Sequence, residues 1–265
     1  MATVKDVYRF LDEIAPFSMQ EDFDNAGFLV GRNGAEVKRV LVALDITEAV
    51  VQEAQAEDCQ LIVSHHPIIF HPAKSMTDET VNGRILLALA EAHLAAICAH
   101  TNLDAVQGGV NDCLAAQLKL RDVTLLEHSG VDDQGRPFGI GRVGTAHQEG
   151  MSAQEYAKFV KQQLGTVSVR YTDGGKSVCR VAVGGGACAS MLEQAQALGC
   201  DTFVTSDVKH DRYLEAAGMG ITLMDAGHYA TERVVCPYLV NMLSRRFPEL
   251  QVLQSRQDRE VYGNV

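Results

Sequence analysis

Residues 40–66 read VLVALDITEAVVQEAQAEDCQLIVSHH, and 141 positions later residues 181–207 read VAVGGGACASMLEQAQALGCDTFVTSD. Each stretch opens on a short apolar run, passes through an alanine-rich amphipathic window and closes on a second apolar run. In the first stretch the pattern predicts a strand over 40–44, a helix over 47–58 capped by Thr47, and a strand over 61–63. Seven of the 27 paired positions are identical, including Ala54-Gln55-Ala56 against Ala195-Gln196-Ala197 and Cys59 against Cys200. Two alanine-rich helices resemble each other by composition alone. Here strand, helix and strand align together without a gap, which predicts an internal duplication of one βαβ unit.

The same rhythm extends outward. Thr3 is placed to cap a first helix with Val4, Val7, Phe10, Leu11 and Ile14 on one face, stopped by Pro16. A loop over 22–25 and a short strand over 28–30 follow. Beyond the histidines, 78–93 reads as helix and 95–99 as a buried strand. Strands alternating with helices predict an α/β fold with parallel strands. Gly130, Asp132, Asp133, Gly135 and Pro137 cluster as turn residues. The expected organisation is therefore two similar βαβ-type domains, 1–127 and 128–265. Sites in open α/β sheets form beyond the carboxyl ends of the strands, so the chemistry is expected in a cleft shared by the two halves.

Composition removes several function classes. The 265 residues are 46% hydrophobic and 22% charged, an ordinary globular balance that excludes disorder. No apolar run approaches the length of about 18 residues needed to span a bilayer, and no apolar core follows Lys5, Asp6 and Arg9 as a signal peptide would require. Twenty-three basic against 34 acidic residues leave a net charge of −11, with no basic run longer than Arg245-Arg246. Such a chain repels a phosphate backbone, and nucleic acid is not an expected partner. Seven cysteines without a CxxC pair predict reduced thiols in a cytoplasmic protein.

Four segments that follow predicted strands carry candidate chemistry. Ser64-His65-His66-Pro67 offers two adjacent imidazoles at a strand's frayed end, able to serve two metal ions; the alternative is a surface histidine pair beside a proline turn. His100-Thr101-Asn102-Leu103-Asp104 offers Asp104 as an oxygen ligand; the alternative is an Asx turn into the next helix. In Gly227-His228-Tyr229-Ala230-Thr231-Glu232, a helix starting here would place His228 and Glu232 one turn apart on one face, which suits joint metal ligation. Otherwise Glu232 helps cap that helix and His228 is incidental. Residues 184–189, GGGACA, fit the dinucleotide pattern G-x-G-x-x-A with Asp207 about 20 residues on. A plain tight turn, or backbone N–H groups contacting a substrate anion, accounts for them as well. Taken together, histidines and carboxylates at strand ends match the donor set of a two-metal site, and the absence of cysteine argues against a structural zinc knot.

SHHPIIF at 64–70, HTNLDAVQGGVND at 100–112, TSDVKHD at 205–211 and GHYATE at 227–232, with DNAGFLVG at 24–31, resemble the motifs of the Nif-three-like (NGG-one-interacting factor three) family. Members are also labelled GTP cyclohydrolase type 2 homologues. The resemblance covers essentially the whole chain. It implies a dinuclear site with His65, His66, Asp104, His228 and Glu232 as ligands to two divalent ions, Zn, Fe or Mn. It further implies two related α/β domains and a ring-shaped homohexamer. His100 matches a family histidine expected beside the ligands or at the substrate. His210 and Asp24 match the pattern without an assigned role, and His210 reads equally well as a helix-start residue on the rim. The expected function is a metal-dependent hydrolase acting on a small molecule, a nucleotide or related heterocycle. The alternative is a non-enzymatic protein that stores, delivers or senses metal.

Overall fold

Thr3 accepts the Asp6 N–H while the Asp6 carboxylate accepts the Thr3 N–H, a capping box that starts α1 (Val4–Ile14) and points Val4, Val7, Phe10 and Leu11 into the core. After it come β1 (Gly27–Val30), β2 (Arg39–Ala43), α2 (Glu48–Ala56), β3 (Leu61–Ser64), α3 (Val81–Glu91), β4 (Ala95–Cys98) and α4 (Thr101–Ala105). The middle of the chain holds α5 (Val110–Gln117), β5 (Arg121–Leu125), β6 (Gly130–Val131), β7 (Pro137–Phe138), β8 (Arg142–Thr145), α6 (Ala153–Leu164) and β9 (Arg170–Thr172). The last part holds β10 (Arg180–Val183), α7 (Leu192–Ala197), β11 (Thr202–Thr205), α8 (His210–Met219), β12 (Thr222–Asp225), α9 (His228–Glu232), α10 (Val235–Arg246) and β13 (Gln251–Gln254). The computed structural model describes residues 1–265 and divides into two units, 1–103 with 236–259 and 104–235 with 260–265.

In the first unit a five-stranded sheet runs β1-β4-β3-β2-β13, parallel except for β1. Strands β3 and β4 are buried along their whole length, as parallel strands covered on both faces must be. Thr47 and Thr80 accept the Val50 and Gly83 amides and start α2 and α3. Asp78 and Glu79 therefore lie outside the helix expected over 78–93. Gly31, at φ +117, turns the chain out of β1 where a Cβ would come within 2.7 Å of the Ala95 Cβ.

The C-terminal part of this unit is held by Glu53 on α2. Its carboxylate accepts the Ser255 hydroxyl and the Arg256 and Gln257 amides at 3.0 and 3.2 Å. Burial disfavours its charge, but these hydrogen bonds outweigh that and hold the carboxyl below its ordinary value of 4.5. A depressed carboxyl stabilises the fold above its ordinary pKa, and the contribution is lost as pH falls through the folded value. The Tm difference between the protein and Glu53→Gln is therefore expected to be full near neutrality and to close below pH 4.5. A gap that persists undiminished in strongly acidic buffer would contradict the strap.

The second unit is built on a mixed sheet, β5-β8-β10-β11-β12-β9, whose centre β10-β11-β12 is parallel. Alternation along these strands loads both faces. Val181, Val183, Val204 and Met224 pack with Tyr156, Val160 and Leu164 of α6, and Ala182, Phe203 and Leu223 pack with Leu192, Ala195 and Ala216. Strands β5, β8 and β9 join antiparallel, so neither sheet is the all-parallel array that the βαβ reading predicts.

Residues 40–66 and 181–207 carry their elements at the same offset. Strands 39–43 and 61–64 recur at 180–183 and 202–205, and helix 48–56 recurs as a 3-10 turn plus α7 over 189–197. The units do not follow a cut between 127 and 128, however. Strand β13 pairs in parallel with β2, and Phe247 meets Phe10 edge-on at 5.7 Å, which carries the C-terminal segment into the first unit. The Gly139 amide bonds the Ala105 carbonyl, which holds 104–126 in the second. The turn residues near 130–137 form a small hairpin, β6–β7, inside that unit rather than a linker.

Candidate metal centre

Both adjacent histidines sit where β3 runs out. The ladder continues past Ser64, with the His65 amide on the Ala43 carbonyl and the His66 amide on the Leu44 carbonyl. The His65 Nδ1 lies 2.8 Å from the Ala99 carbonyl, and the His66 Nδ1 lies 2.8 Å from Asp45 Oδ1. His100, just past β4, places its Nδ1 2.7 Å from Asp24 Oδ1. Carbonyl and carboxylate oxygens only accept, so each Nδ1 carries a hydrogen, and in the neutral imidazole the Nε2 then offers the lone pair. One ring nitrogen from each of His65, His66 and His100 can be chosen so that all three lie within 4.8 Å of one another.

The loop behind His100 is fixed by polar contacts. Asn102, buried, accepts the His100 amide at 2.9 Å and donates to the Ala15 carbonyl at 2.6 Å. Asp24 also accepts the Thr101 amide and hydroxyl. Burial opposes its charge, yet the bonds from His100 and Thr101 prevail and hold its carboxyl far below the usual carboxylate range.

The second unit contributes a different set. Asp104, in α4, and Glu232, the last residue of α9, are both buried, with carboxylate oxygens within 4.8 Å of each other. His228 opens α9, so the expected helix exists and the i, i+4 spacing holds: its Nε2 lies 2.9 Å from Glu232 Oε2. Its Nδ1 lies 2.6 Å from Asp207 Oδ2. With the Nδ1 hydrogen on Asp207, the Nε2 and the Glu232 oxygen are both acceptors, and their close approach requires a proton or a cation between them.

The backbone of residues 184–186 is turned to this set. The Gly185 amide donates to Asn111 Oδ1 at 2.9 Å and the Gly186 amide to Thr231 Oγ1 at 3.1 Å, so neither is left for a phosphate. With the Gly184 amide on the Val204 carbonyl as well, the three glycine amides are engaged within the protein, which favours the tight-turn reading of GGGACA. At Gly186, φ +65, a Cβ would fall 2.1 Å from Glu232 Oε1 and 3.3 Å from His228 Nε2. The backbone is cut away there to admit the carboxylate. Cys188 stays a thiol: burial, then the charges of Asp104 and Glu232, push its pKa far up.

The donors present fit divalent ions on their chemistry. Imidazoles with fixed tautomers and buried carboxylates suit Zn, Fe or Mn, and each histidine has an oxygen partner behind it that orients the ring. His210 is not among the clustered donors; it is the exposed first residue of α8. The carboxylates beside the rings are Asp45, which the sequence did not single out, and Asp207, which it singled out only as the acid of a dinucleotide pattern. Both stand just past parallel strands, β2 and β11, where the strand-end rule would have found them.

Residues 2–260 match the profile of the Duf34/NIF3 (NGG1p interacting factor 3) family. The chain belongs to this family. A Duf34/NIF3 relative from Clostridium perfringens, named GTP cyclohydrolase 1 type 2 homolog, is 32% identical over 230 residues, covering 86% of each chain. A protein of the same name from Clostridium acetobutylicum is 34% identical over 230 residues, 86% of this chain and 85% of its own. Among solved structures, a Bacillus cereus protein related to NIF3 superposes with a TM-score of 0.94 at 22% identity, covering 100% of this chain and 99% of that one. That likeness establishes the mixed α/β fold as the Duf34/NIF3 fold. No helix is long and apolar enough to cross a membrane.

Proposed function

We propose that the chain is a dinuclear-metal-dependent hydrolase in which His65, His66, Asp104, His228 and Glu232 hold two divalent ions, Zn, Fe or Mn. The observation that carries this reading is the uniform setting of the imidazoles: each Nδ1 is bound to an oxygen, which reserves Nε2 for ligation. Two such ions, when bound, polarise an electrophilic centre and bring a water's pKa toward neutrality. The protein's own part is to fix the ring orientations through Ala99, Asp45 and Asp207. Asp104 and Glu232 supply the negative charge that offsets repulsion between two cations. His100, held by Asp24, stands beside His65 and His66, and its role in this reading is to contact substrate or exchange a proton with it. The name carried by the relatives supports a nucleotide or related heterocycle as substrate.

Protein purified without chelator is expected to hold nearly two equivalents of divalent metal per chain by elemental analysis, and to turn over nucleotides in a screen. Finding no metal, and no uptake on adding Zn, Mn or Fe, would sink the ligand assignment. Metal uptake with no turnover of any nucleotide or heterocycle would favour storage or sensing instead.

The same reading includes an origin by internal duplication and a cytoplasmic homohexamer. The shared offset of 141 between β2–β3 and β10–β11 supports the duplication, as does the recurrence of a histidine followed four residues later by a carboxylate, His100/Asp104 and His228/Glu232. The hexamer rests on the family resemblance. Light scattering that returns a monomer mass at micromolar concentration would count against it.

A further inference from the structure

Two exposed aromatic rings stand beside the histidine cluster of the first unit, and neither has a part in holding metal. Phe23 is 66% exposed and Phe70 is 37% exposed. Scattered apolar side chains are ordinary on a protein surface. These two are not scattered: their centroids lie 6.4 Å apart with the planes at 59°. Phe70 also meets the His100 ring edge-on, at 6.0 Å and 84°, which sets Phe70 directly against that imidazole.

The backbone under both rings is pinned. Asp24, next to Phe23, is tied to His100 and Thr101, and the Asn25 side-chain amide donates to the Ile69 carbonyl at 2.5 Å, one residue before Phe70. A parallel slot for a third ring needs plates roughly 7 Å apart, twice the contact distance between carbon atoms. At 6.4 Å and 59° the pair is instead an open V. A flat ligand stacks on one ring and turns an edge to the other, the offset and edge-to-face contacts that ring quadrupoles favour. An aliphatic ligand gains little from two bare ring faces without surrounding walls.

We propose that Phe23 and Phe70 form a clamp for a planar heteroaromatic ring and direct its polar edge toward His100. The clamp deepens the hydrolase reading, on which it rests for the chemistry done at that ring. The test measures binding of GMP, AMP and UMP, with ribose 5-phosphate as the ringless control, by titration calorimetry on the whole protein. At least one nucleotide is expected to bind better than ribose 5-phosphate. Phe23→Ala and Phe70→Ala should each weaken that binding about ten-fold or more, the usual effect of removing one stacking side chain. Phe23→Tyr should preserve it, and ribose 5-phosphate should respond to none of the variants. Nucleotide affinity unchanged in both alanine variants, or no saturable binding of any nucleotide at millimolar concentration, overturns the clamp. Metal content read on the same samples separates the two claims. Metal retained with ring-independent binding leaves the hydrolase reading standing alone. Ring-dependent binding in a protein that takes up no metal sinks the hydrolase reading and leaves the clamp.

Discussion

Glu232→Ala is expected to reduce the metal content from nearly two equivalents to below one, whereas His65→Ala or His66→Ala should weaken mainly one ion. Glu232 is buried, lies 2.9 Å from the His228 Nε2 and has a carboxylate oxygen within 4.8 Å of one on Asp104. A carboxylate shared by two cations offsets a repulsion larger than any surface contact, so its loss should be felt by both. Gly186→Ala should give a similar loss without replacing a ligand, because the new methyl would fall 2.1 Å from Glu232 Oε1 and displace that carboxylate. Removing an orienting partner, as in Asp45→Ala or Asp207→Ala, should cost roughly 10–100-fold in metal affinity while leaving the stoichiometry at saturation unchanged. His100→Ala should keep both metals and lose turnover. Metal analysis across the series checks this division. Two metals retained in Glu232→Ala, with loss in His100→Ala, would reverse the assigned roles.

Much of the candidate centre was legible because its donor groups obey local rules. His65 and His66 follow a run that could only be a strand, and the spacing of His228 and Glu232 is a helical turn wherever a helix starts at 228. What the motifs could not give was the support behind them. In sequence Asp45 carries no signal, Asp207 enters as the acid of a dinucleotide pattern, and Asp24 matches the family pattern without a role. Their meaning depends on which imidazole the fold sets beside them, at separations of 21, 76 and 21 residues. At Gly186 the signal is incomplete for the same reason: a glycine triplet after a strand advertises a tight turn or an anion site, and only the packed Glu232 side chain shows what the missing Cβ makes room for.

The fold was legible to the extent that periodicity is local. Helices α1 and α2 begin at the threonines that the capping rule selects, and β3 and β4 fall within a residue of their expected ends. The antiparallel strands β1, β8 and β9 and the placement of β13 beside β2 were not, because strand direction and order are settled by long-range pairing that no window of residues contains. The cut near 127 failed similarly. A cluster of turn residues marks a reversal of the chain, and a reversal within a unit looks the same in sequence as a linker between two.

Arg142 shows how far a decisive residue can hide, and it carries the largest stability effect expected in the chain. In sequence it is one cation in a glycine-rich run; in the fold its side chain is 2% exposed. Its Nε and Nη2 grip Asp112 at 3.0 and 2.8 Å, while Nη1 donates to the Gly139 and Gly141 carbonyls and Nη2 also to the Val106 carbonyl. One guanidinium thus ties α5 to the start of β8 and to the loops at 106 and 139–141. Asp112→Ala would leave that cation buried without its counter-charge, a change that typically costs about 3–5 kcal/mol. The reverse variant, Arg142→Met, leaves a carboxylate that water can partly reach, since Asp112 is 30% exposed, and should cost less even though three carbonyls lose a donor, two of them keeping a backbone amide. The double variant should recover part of the loss in Asp112→Ala, because the stranded charge is gone. Urea unfolding of the four proteins checks the order, with Asp112→Ala expected to lower the midpoint by about 1–2 M. A midpoint for Asp112→Ala at or above that of Arg142→Met would mean that the guanidinium is satisfied by its carbonyls alone and that the ion pair adds little to the fold.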